Sequence, residues 1–389
     1  MMEFLSYFLL LFFIIACIFL SVDAYFWWME RFPRYKIGRN KDFDSWSKAL
    51  FEKGKSWLPK VPAVPITQNK HLLLWDILQG KFTRNSVQAW QTGGLLLGVS
   101  ENSPEESKTA KQKTIDFFID QNGNWKTQPK NVDFAILAYS FLKNHPDPNF
   151  LKPSMDEIIA VIDNQICEDG LIAYSGRKNI RYVDTLGLVC PFLVLYDNTY
   201  QTNKYAALAV SQIEKFVEFG MFKDSFLPVH SYEVNNGFPV GVFGWGRGTG
   251  WFILGVLDSY LELKDGHLKE RLEKILRETA AYYLQFQRED GGFGIFIQDK
   301  NTYDSSATAV FAYFYAKCFQ IFGNAEYFWS LEKSLEKLQS FTRRDGSLDY
   351  CQGDTVEVGV FSQRLDIMPF AQGMLLRAVK IYETNRSEK

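Results

Sequence analysis

The chain has 389 residues, of which 47% are hydrophobic and 16% aromatic, and its formal net charge is −2. This length predicts one large domain or two to three ordinary ones, and the near-neutral charge without a basic stripe argues against nucleic acid as a partner. The five cysteines are scattered without a C-x-x-C pair, and the four histidines lie far apart. We therefore expect no disulfide framework, no metal and no other cofactor.

The N-terminus carries a long apolar run, FLSYFLLLFFIIACIFLSV, at residues 4–22. A helix of this length spans the roughly 30 Å hydrocarbon layer of a bilayer. The aromatic-rich stretch 25–28 follows, as at a membrane interface, and only Glu3 precedes the run, whereas a cleaved signal peptide would begin with positive charge. We predict that residues 1–30 form a single-pass membrane anchor.

Basic residues are concentrated directly after the apolar run, within residues 31–41. The positive-inside rule then predicts that the following domain lies in the cytoplasm, with an extracytoplasmic position as the alternative. Residues 31–65 are predicted to form a juxtamembrane helix, FDSWSKALFEKGKSW, and a stiff linker with three prolines. The globular domain is predicted to comprise residues 66–389.

Six segments that are apolar on most faces recur along that domain, and amphipathic segments alternate with them. The apolar segments begin near residues 88, 131, 182, 246, 304 and 368. Five amphipathic helices are evident, HLKERLEKILRETAAYYLQF being the clearest, and KHLLLWDILQG is expected to supply the sixth. Asp-Gly turn signals after most of the amphipathic helices predict short hairpins or tight loops. This pattern predicts an all-α fold, an (α/α)6 barrel or six-hairpin toroid, preceded by the transmembrane helix.

Parallel inner helices bring their N-termini to one face of such a barrel, where positive helix ends favour a polar or anionic ligand. The polar and aromatic residues that open the inner helices are therefore candidates as a set: Trp90, Asp133, Asp184, Trp245, Arg247, Trp251, Ser305 and Ser306. N-capping is the simplest interpretation of the Asp and Ser members. Capping does not explain Trp245, Arg247 and Trp251, nor His230 in the loop before them.

Several of these segments, in this order, resemble the unsaturated uronyl hydrolases, namely the unsaturated rhamnogalacturonyl hydrolases of glycoside hydrolase family 105 and their relatives in family 88. VDTLGLVCPF resembles the segment of the catalytic aspartate, here Asp184, and NVDFAIL that of a second pocket carboxylate, here Asp133. WGRGTGW is similar to the family's W-x-R-x-x-G-W motif, and SSATAVFAYFYAK to its fifth inner helix. The resemblance implies a substrate-binding role for Trp245, Arg247 and Trp251, with His230, Trp90, Ser305 and Ser306 as further candidates.

The resemblance also implies a reaction, in which a terminal 4,5-unsaturated uronic acid is removed from a lyase-generated oligosaccharide by hydration of its C4=C5 double bond. Asp184 would act as general acid and then base, its pKa raised by the apolar residues behind it and by Asp133. Two alternatives remain open from the sequence. One is an inverting glycosidase that uses Asp133 and Asp184, and the other is a membrane-tethered sugar-binding protein without catalysis. The sequence does not indicate an oligomeric state.

Overall fold

The computed structural model describes residues 2–40, 42–64, 69–82, 88–174, 176–355 and 357–387. Within those residues the α-helices are α1 (Met2–Arg31), α2 (Phe43–Trp57), α3 (Leu73–Leu78), α4 (Ala89–Asn102), α5 (Pro104–Phe118), α6 (Phe134–Asn144), α7 (Pro148–Asp163), α8 (Asp184–Tyr200), α9 (Tyr205–Phe219), α10 (Gly246–Glu262), α11 (His267–Tyr283), α12 (Ser305–Phe322), α13 (Ala325–Ser340) and α14 (Pro369–Ser387). The short strands are β1 (Ile180–Tyr182), β2 (Val229–Glu233), β3 (Pro239–Phe243), β4 (Cys351–Gln352) and β5 (Leu365–Asp366).

Six helices, α4, α6, α8, α10, α12 and α14, form a closed inner ring, because each packs against the next and α14 packs against α4. Their side chains are buried on nearly all faces, as expected for helices with no polar face. The α4 and α14 backbones touch at a glycine pair, since a Cβ on Gly98 would lie 2.0 Å from the carbonyl oxygen of Gly373. The predicted all-α (α/α)6 barrel is confirmed.

The outer ring consists of α2, α5, α7, α9, α11 and α13, each packed against inner helices. α11 is amphipathic as its sequence predicts, with Leu272, Leu276 and Tyr283 buried along one stripe. Three of the predicted Asp-Gly and Asn-Gly turns close as short hairpins through single antiparallel bridges: Ile119 with Trp125, Ile166 with Ile172, and Thr342 with Leu348. Outer and inner helices thus alternate along the chain.

The sixth outer helix differs from the predicted one. α2, which the sequence assigned to a juxtamembrane segment, buries Trp46 and Trp57, and the Trp46 indole donates a hydrogen bond of 2.9 Å to the Thr342 hydroxyl. The segment expected to supply this helix forms only the six-residue α3, about 9 Å long, which is too short to cover the inner ring and contacts α1.

The barrel therefore includes residues 43–57, upstream of the predicted domain boundary. That boundary at residue 66, and Pro65 of the predicted linker, lie outside the described residues.

α1 is long and apolar enough to cross a membrane. The candidate span covers residues 3–34 and contains an 18-residue window with a mean hydropathy of 2.7, no part of which is buried. A signal sequence has the same properties, so these features alone do not distinguish an anchor from a cleaved leader.

The loops that precede the inner helices carry two small sheets. Strands β1, β2 and β3 form an antiparallel sheet in which Tyr182 pairs with Ser231 and Tyr232 with Pro239. Strands β4 and β5 form a second antiparallel pair between α13 and α14. Both sheets lie at the end of the barrel where the inner helices begin.

Candidate active site

A cavity of about 510 Å³ opens at the N-terminal ends of the inner helices, the end predicted to bind a ligand. It receives side chains from the starts of α4, α6, α8 and α10, from the β1–β2–β3 sheet and from the β4–β5 loop. The lining residues are Gln88, Trp90, Asp133, Tyr174, Arg177, Tyr182, Asp184, Leu188, His230, Val240, Trp245, Arg247, Trp251, Asp354, Thr355, Glu357 and Val358.

Two carboxylates lie on adjacent inner helices in this cavity. Asp184 is the first residue of α8 and Asp133 immediately precedes α6. Oδ1 of Asp133 and Oδ2 of Asp184 are buried and have no hydrogen-bond partner among the described residues. Because buried polar atoms are almost always hydrogen-bonded in folded proteins, two such oxygens in one cavity indicate a place for a ligand or a reacting group.

The pKa of the Asp133 carboxyl is raised to about 6. Burial is the main cause, a hydrogen bond with Tyr174 opposes it, and the negative charges of Asp184 and Asp354 raise the pKa further. Asp133 is therefore a carboxyl of this cavity that can hold a proton at mildly acidic pH.

His230 is held beside Asp184 by the sheet that precedes α10. Its Nε2 lies 3.4 Å from Oδ2 of Asp184, and its backbone carbonyl accepts a hydrogen bond of 3.0 Å from the Val183 N–H. Gly241 on β3 has φ +97, and a Cβ there would lie 3.0 Å from the His230 Cβ, so the glycine lets β3 approach the imidazole. Nδ1 of His230 is buried without a partner among the described residues.

Arg247 lines the cavity, but its guanidinium is bound by the backbone at the end of β4 and the start of the β4–β5 loop. Nη1 donates to the Gln352 carbonyl at 2.7 Å and Nη2 to the Gly353 carbonyl at 2.9 Å. The Trp245 indole donates to the side-chain oxygen of Gln352 at 2.8 Å. The W-x-R motif therefore holds this loop against the cavity, because the buried guanidinium of Arg247 offers several N–H donors in a fixed geometry.

A model of one protein family matches most of the chain. The Glycosyl Hydrolase Family 88 model matches residues 75–384. The chain belongs to glycosyl hydrolase family 88. It is therefore a glycoside hydrolase, and the predicted membership of the family 88 and family 105 group is confirmed.

Solved structures share the fold of this glycoside hydrolase at low sequence identity. A possible member of family 105 from Salmonella enterica serovar Paratyphi A is 19% identical, with a TM-score of 0.73, and the match covers 89% of this chain and 95% of that one. An unsaturated glucuronyl hydrolase responsible for glycosaminoglycan degradation, from Bacillus sp. GL1, is 17% identical, with a TM-score of 0.64 and coverage of 87% and 95%.

A further similar structure is an unsaturated glucuronyl hydrolase specific for heparin, which is 17% identical, with a TM-score of 0.65 and coverage of 88% and 98%. None of the curated proteins matches the sequence. At these identities the structural matches establish the six-hairpin fold of the hydrolase.

The structure brings seven of the nine predicted site residues of the hydrolase to one cavity: Trp90, Asp133, Asp184, His230, Trp245, Arg247 and Trp251. Ser305 and Ser306 are not among the lining residues and are fully buried. The Ser306 hydroxyl and N–H donate to the carboxylate of Asp304, which caps α12 and also accepts from the Gln352 N–H at 2.8 Å. These serines therefore support the loop behind the cavity, which corrects the predicted substrate contact.

Sequence reasoning missed the cavity residues that loops supply. Tyr174 and Arg177 lie between α7 and α8, while Asp354 and Glu357 lie between β4 and β5. In a six-hairpin barrel, the loop after each outer helix reaches the face where the next inner helix begins. Charged residues in these loops could therefore have been predicted to line the cavity. Within the described residues, no group of His, Cys, Asp and Glu side chains is arranged to hold a metal ion.

Proposed function

We propose that this hydrolase removes a terminal 4,5-unsaturated uronic acid from oligosaccharides produced by a polysaccharide lyase. The observation that carries the proposal is a pair of partly buried carboxylates in a sugar-sized cavity beside His230. Each has one buried oxygen that accepts no hydrogen bond from the described residues. The unsaturated glucuronyl hydrolases among the similar structures support the same substrate class.

In the proposed reaction Asp184 acts as general acid and then as general base. Its carboxylic acid gives a proton to C4 of the vinyl ether, and positive charge develops at C5 and the ring oxygen. Water adds at C5 and loses a proton to the Asp184 carboxylate, which restores the acid. The resulting hemiketal opens, and the glycosidic bond to the next sugar breaks. Since one residue serves both steps, the mechanism does not require a second carboxylate at the spacing of ordinary glycosidases.

Asp133 is proposed to control the charge of the pair. Below a pH of about 6 its carboxyl carries a proton, so that the pair holds one negative charge fewer. The cavity also contains Asp354 and Glu357, and a further carboxylate from the substrate would be repelled by this acidic lining. A protonated Asp133 reduces that repulsion and can donate a hydrogen bond to the sugar.

Arg177 is proposed as the partner of the substrate carboxylate. The sequence suggested Arg247 or His230 for this role, but both Nη atoms of Arg247 donate to backbone carbonyls. Arg177 also lines the cavity, and its side chain is exposed at the rim. A guanidinium suits a planar carboxylate because it offers paired donors.

The indoles of the cavity are proposed to pack on sugar rings. Trp90 and Trp251 meet edge to face at 5.7 Å, and both pack on Phe370. The cluster fixes both indoles in the cavity wall, where their apolar faces can pack against sugar C–H groups.

The test is an absorbance assay on the full-length protein in detergent with a panel of lyase-generated unsaturated disaccharides. Hydration destroys the conjugated double bond, so the proposal predicts that the ultraviolet absorbance falls as the sugars separate. Release of the terminal residue with its absorbance intact would contradict it and indicate direct attack at the anomeric carbon by Asp133 and Asp184. Binding without any turnover across the panel would indicate a sugar-binding protein.

We also propose that α1 remains attached as a membrane anchor. Its C-terminal part makes specific polar contacts that a cleaved leader would lose: the Asp23 carboxylate accepts from the Leu72 and Leu73 N–H groups, at 2.7 and 2.9 Å. Directly after α1, the Arg34 guanidinium pairs with the buried Asp349 at 2.9 Å. The cytoplasmic position of the barrel stays a prediction from the basic residues after α1, and protease digestion of intact cells tests it, since digestion from outside would contradict it.

A further inference from the structure

The surface beside α1 carries a group of exposed apolar side chains on α3 and its flank. Leu72, Trp75 and Leu78 are 59%, 55% and 69% exposed. Phe117 and Trp329, which are also exposed, stand singly on two separate outer helices. A patch of this kind indicates an interaction surface.

The backbone at the start of α3 supports the same interpretation. Leu72 has φ +53, a left-handed conformation that costs a non-glycine residue free energy. The Asp23 carboxylate, through its two hydrogen bonds, holds this turn in place from α1. The fold therefore keeps an exposed leucine in an unfavourable conformation next to the proposed membrane helix.

The position of α3 identifies the chemistry of its partner. α3 packs against α1, and Phe82 just after it contacts Phe26 with ring centroids 4.9 Å apart. This level of α1 lies immediately after the apolar run, among the aromatic residues 25–28, where a spanning helix meets the lipid headgroups. Trp75 and the flanking Lys70 and Lys81 suit the same layer, because indoles and lysines are favoured there.

The anchor joins the barrel at its cavity end. Arg34 pairs with Asp349, and Glu30 with Arg364 at 3.6 Å, on either side of the β4–β5 loop. Asp354 on the cavity wall is five residues from Asp349, a separation of at most about 18 Å. The cavity rim is thus close to the point where α1 leaves the proposed span.

We propose that α3 lies in the interfacial layer of the lipid bilayer beside α1, so that two contacts hold the barrel with its cavity rim next to the membrane surface. This inference rests on the proposed anchoring by α1. A single flexible tether would let the barrel turn freely, whereas two contacts fix which face meets the lipid. The cavity then receives glycans that are held at or near that surface.

The test places nitroxide spin labels on the full-length protein in vesicles of phosphatidylcholine and phosphatidylglycerol. The exposed Cys17 and the half-buried Cys167 are first replaced by serine, which leaves the buried cysteines unlabelled. Single labels are then attached through Leu10→Cys in α1, Leu78→Cys in α3 and Phe117→Cys in α5, three positions that are all exposed. Power saturation compares collisions with oxygen, which concentrates in lipid, and with a water-soluble nickel chelate.

We expect the labels at positions 10 and 78 to collide preferentially with oxygen, and the label at position 117 to collide several-fold more with the chelate. Lipid exposure at 10 with water exposure at 78 would overturn the inference and leave the anchor intact. Water exposure at all three positions would overturn both. Lipid exposure at all three would mean that the label at position 78 contacts lipid no more specifically than the control label at position 117, which also overturns the inference. Thermal melting of each labelled variant verifies that it is folded.

Discussion

The two ends of the inner ring differ in whether their buried carboxylate oxygens are hydrogen-bonded. At the end where the inner helices begin, oxygens of Asp133 and Asp184 are buried without hydrogen-bond partners among the described residues. In the opposite half, Asp258 on α10 accepts from Arg377 at 2.8 Å and from the Tyr313 hydroxyl at 2.6 Å.

In this second cluster, all three guanidinium nitrogens of Arg377 donate hydrogen bonds. Nε of Arg377 donates to Glu101 at 2.9 Å, and the guanidinium lies 3.8 Å from the centroid of the Tyr313 ring. These residues join α4, α10, α12 and α14 across the barrel. A buried ion pair in which every guanidinium nitrogen donates has a structural role, whereas carboxylate oxygens that face a cavity without a hydrogen bond have unused capacity for chemistry.

Of the substitutions at the two ends of the ring, Asp184→Asn should reduce turnover the most. The variant loses the proton donor, so we expect turnover of an unsaturated disaccharide to fall by at least about 10³-fold, within the range for removal of a general acid–base group. The absorbance assay measures the loss, and an unchanged melting temperature is the control. A variant that retains a tenth of the wild-type rate would remove Asp184 from the proposed chemistry.

At the other end, Arg377→Met should affect stability and leave the chemistry alone. The substitution leaves Asp258 buried without its cation, which costs about 3–5 kcal/mol of unfolding free energy. Urea denaturation in detergent measures this loss, and kcat of the folded fraction should match wild type. Adding Asp258→Leu to the variant removes the unpaired charge and should recover part of the stability. If kcat fell as far as in Asp184→Asn, the two ends would not be functionally distinct.

The raised pKa of Asp133 predicts a pH-dependent stability effect. The folded-state value is about 6 and the ordinary value 3.8, so the folded protein binds the proton more tightly than the unfolded chain. Ionisation therefore costs stability as pH rises from about 4 to 6, by roughly 3 kcal/mol in full above that range. Asp133→Asn cannot ionise, so its stability relative to wild type should increase by up to about 3 kcal/mol between pH 4 and pH 8.

Denaturation of both proteins at the two pH values provides this measurement. Asp265→Asn is the matched control, since it makes the same substitution at a side chain that is 98% exposed. An equal response of the two variants would mean that Asp133 is not held in a proton-favouring environment.

The fold could be predicted because alternation of buried and amphipathic helices is a property of sequence alone. The position of the cavity followed from it, since parallel inner helices must begin on one face. The direction of individual side chains did not follow. Ser306 opens an inner helix as Asp184 does, yet its hydroxyl is bound by Asp304 two residues away. The depth of burial that raises the pKa of Asp133 likewise depends on the assembled barrel.

The outer ring shows a similar limit. Both α2 and the 70–80 segment are amphipathic, and only helix length and packing partners distinguish them. Cavity residues from loops were missed for a related reason, because Arg177 and Asp354 line the same cavity although 177 positions separate them in the chain.

Arg177→Ala should have the smallest effect of these variants. It tests whether the acidic cavity offers a cation to the carboxylate of the substrate. Loss of a charge-assisted pair with the uronate should raise KM by roughly tenfold, with kcat changed much less, because the contact is made equally in the ground and transition states. Arg177→Lys keeps the charge and should recover part of the binding. Lys178→Ala is the matched control, since Lys178 is an adjacent exposed cation that does not line the cavity. Equal KM values for the two alanine variants would mean that Arg247 or His230, and not Arg177, binds the substrate carboxylate. Arg247 could do so only if its guanidinium released the Gln352 and Gly353 carbonyls when the sugar binds.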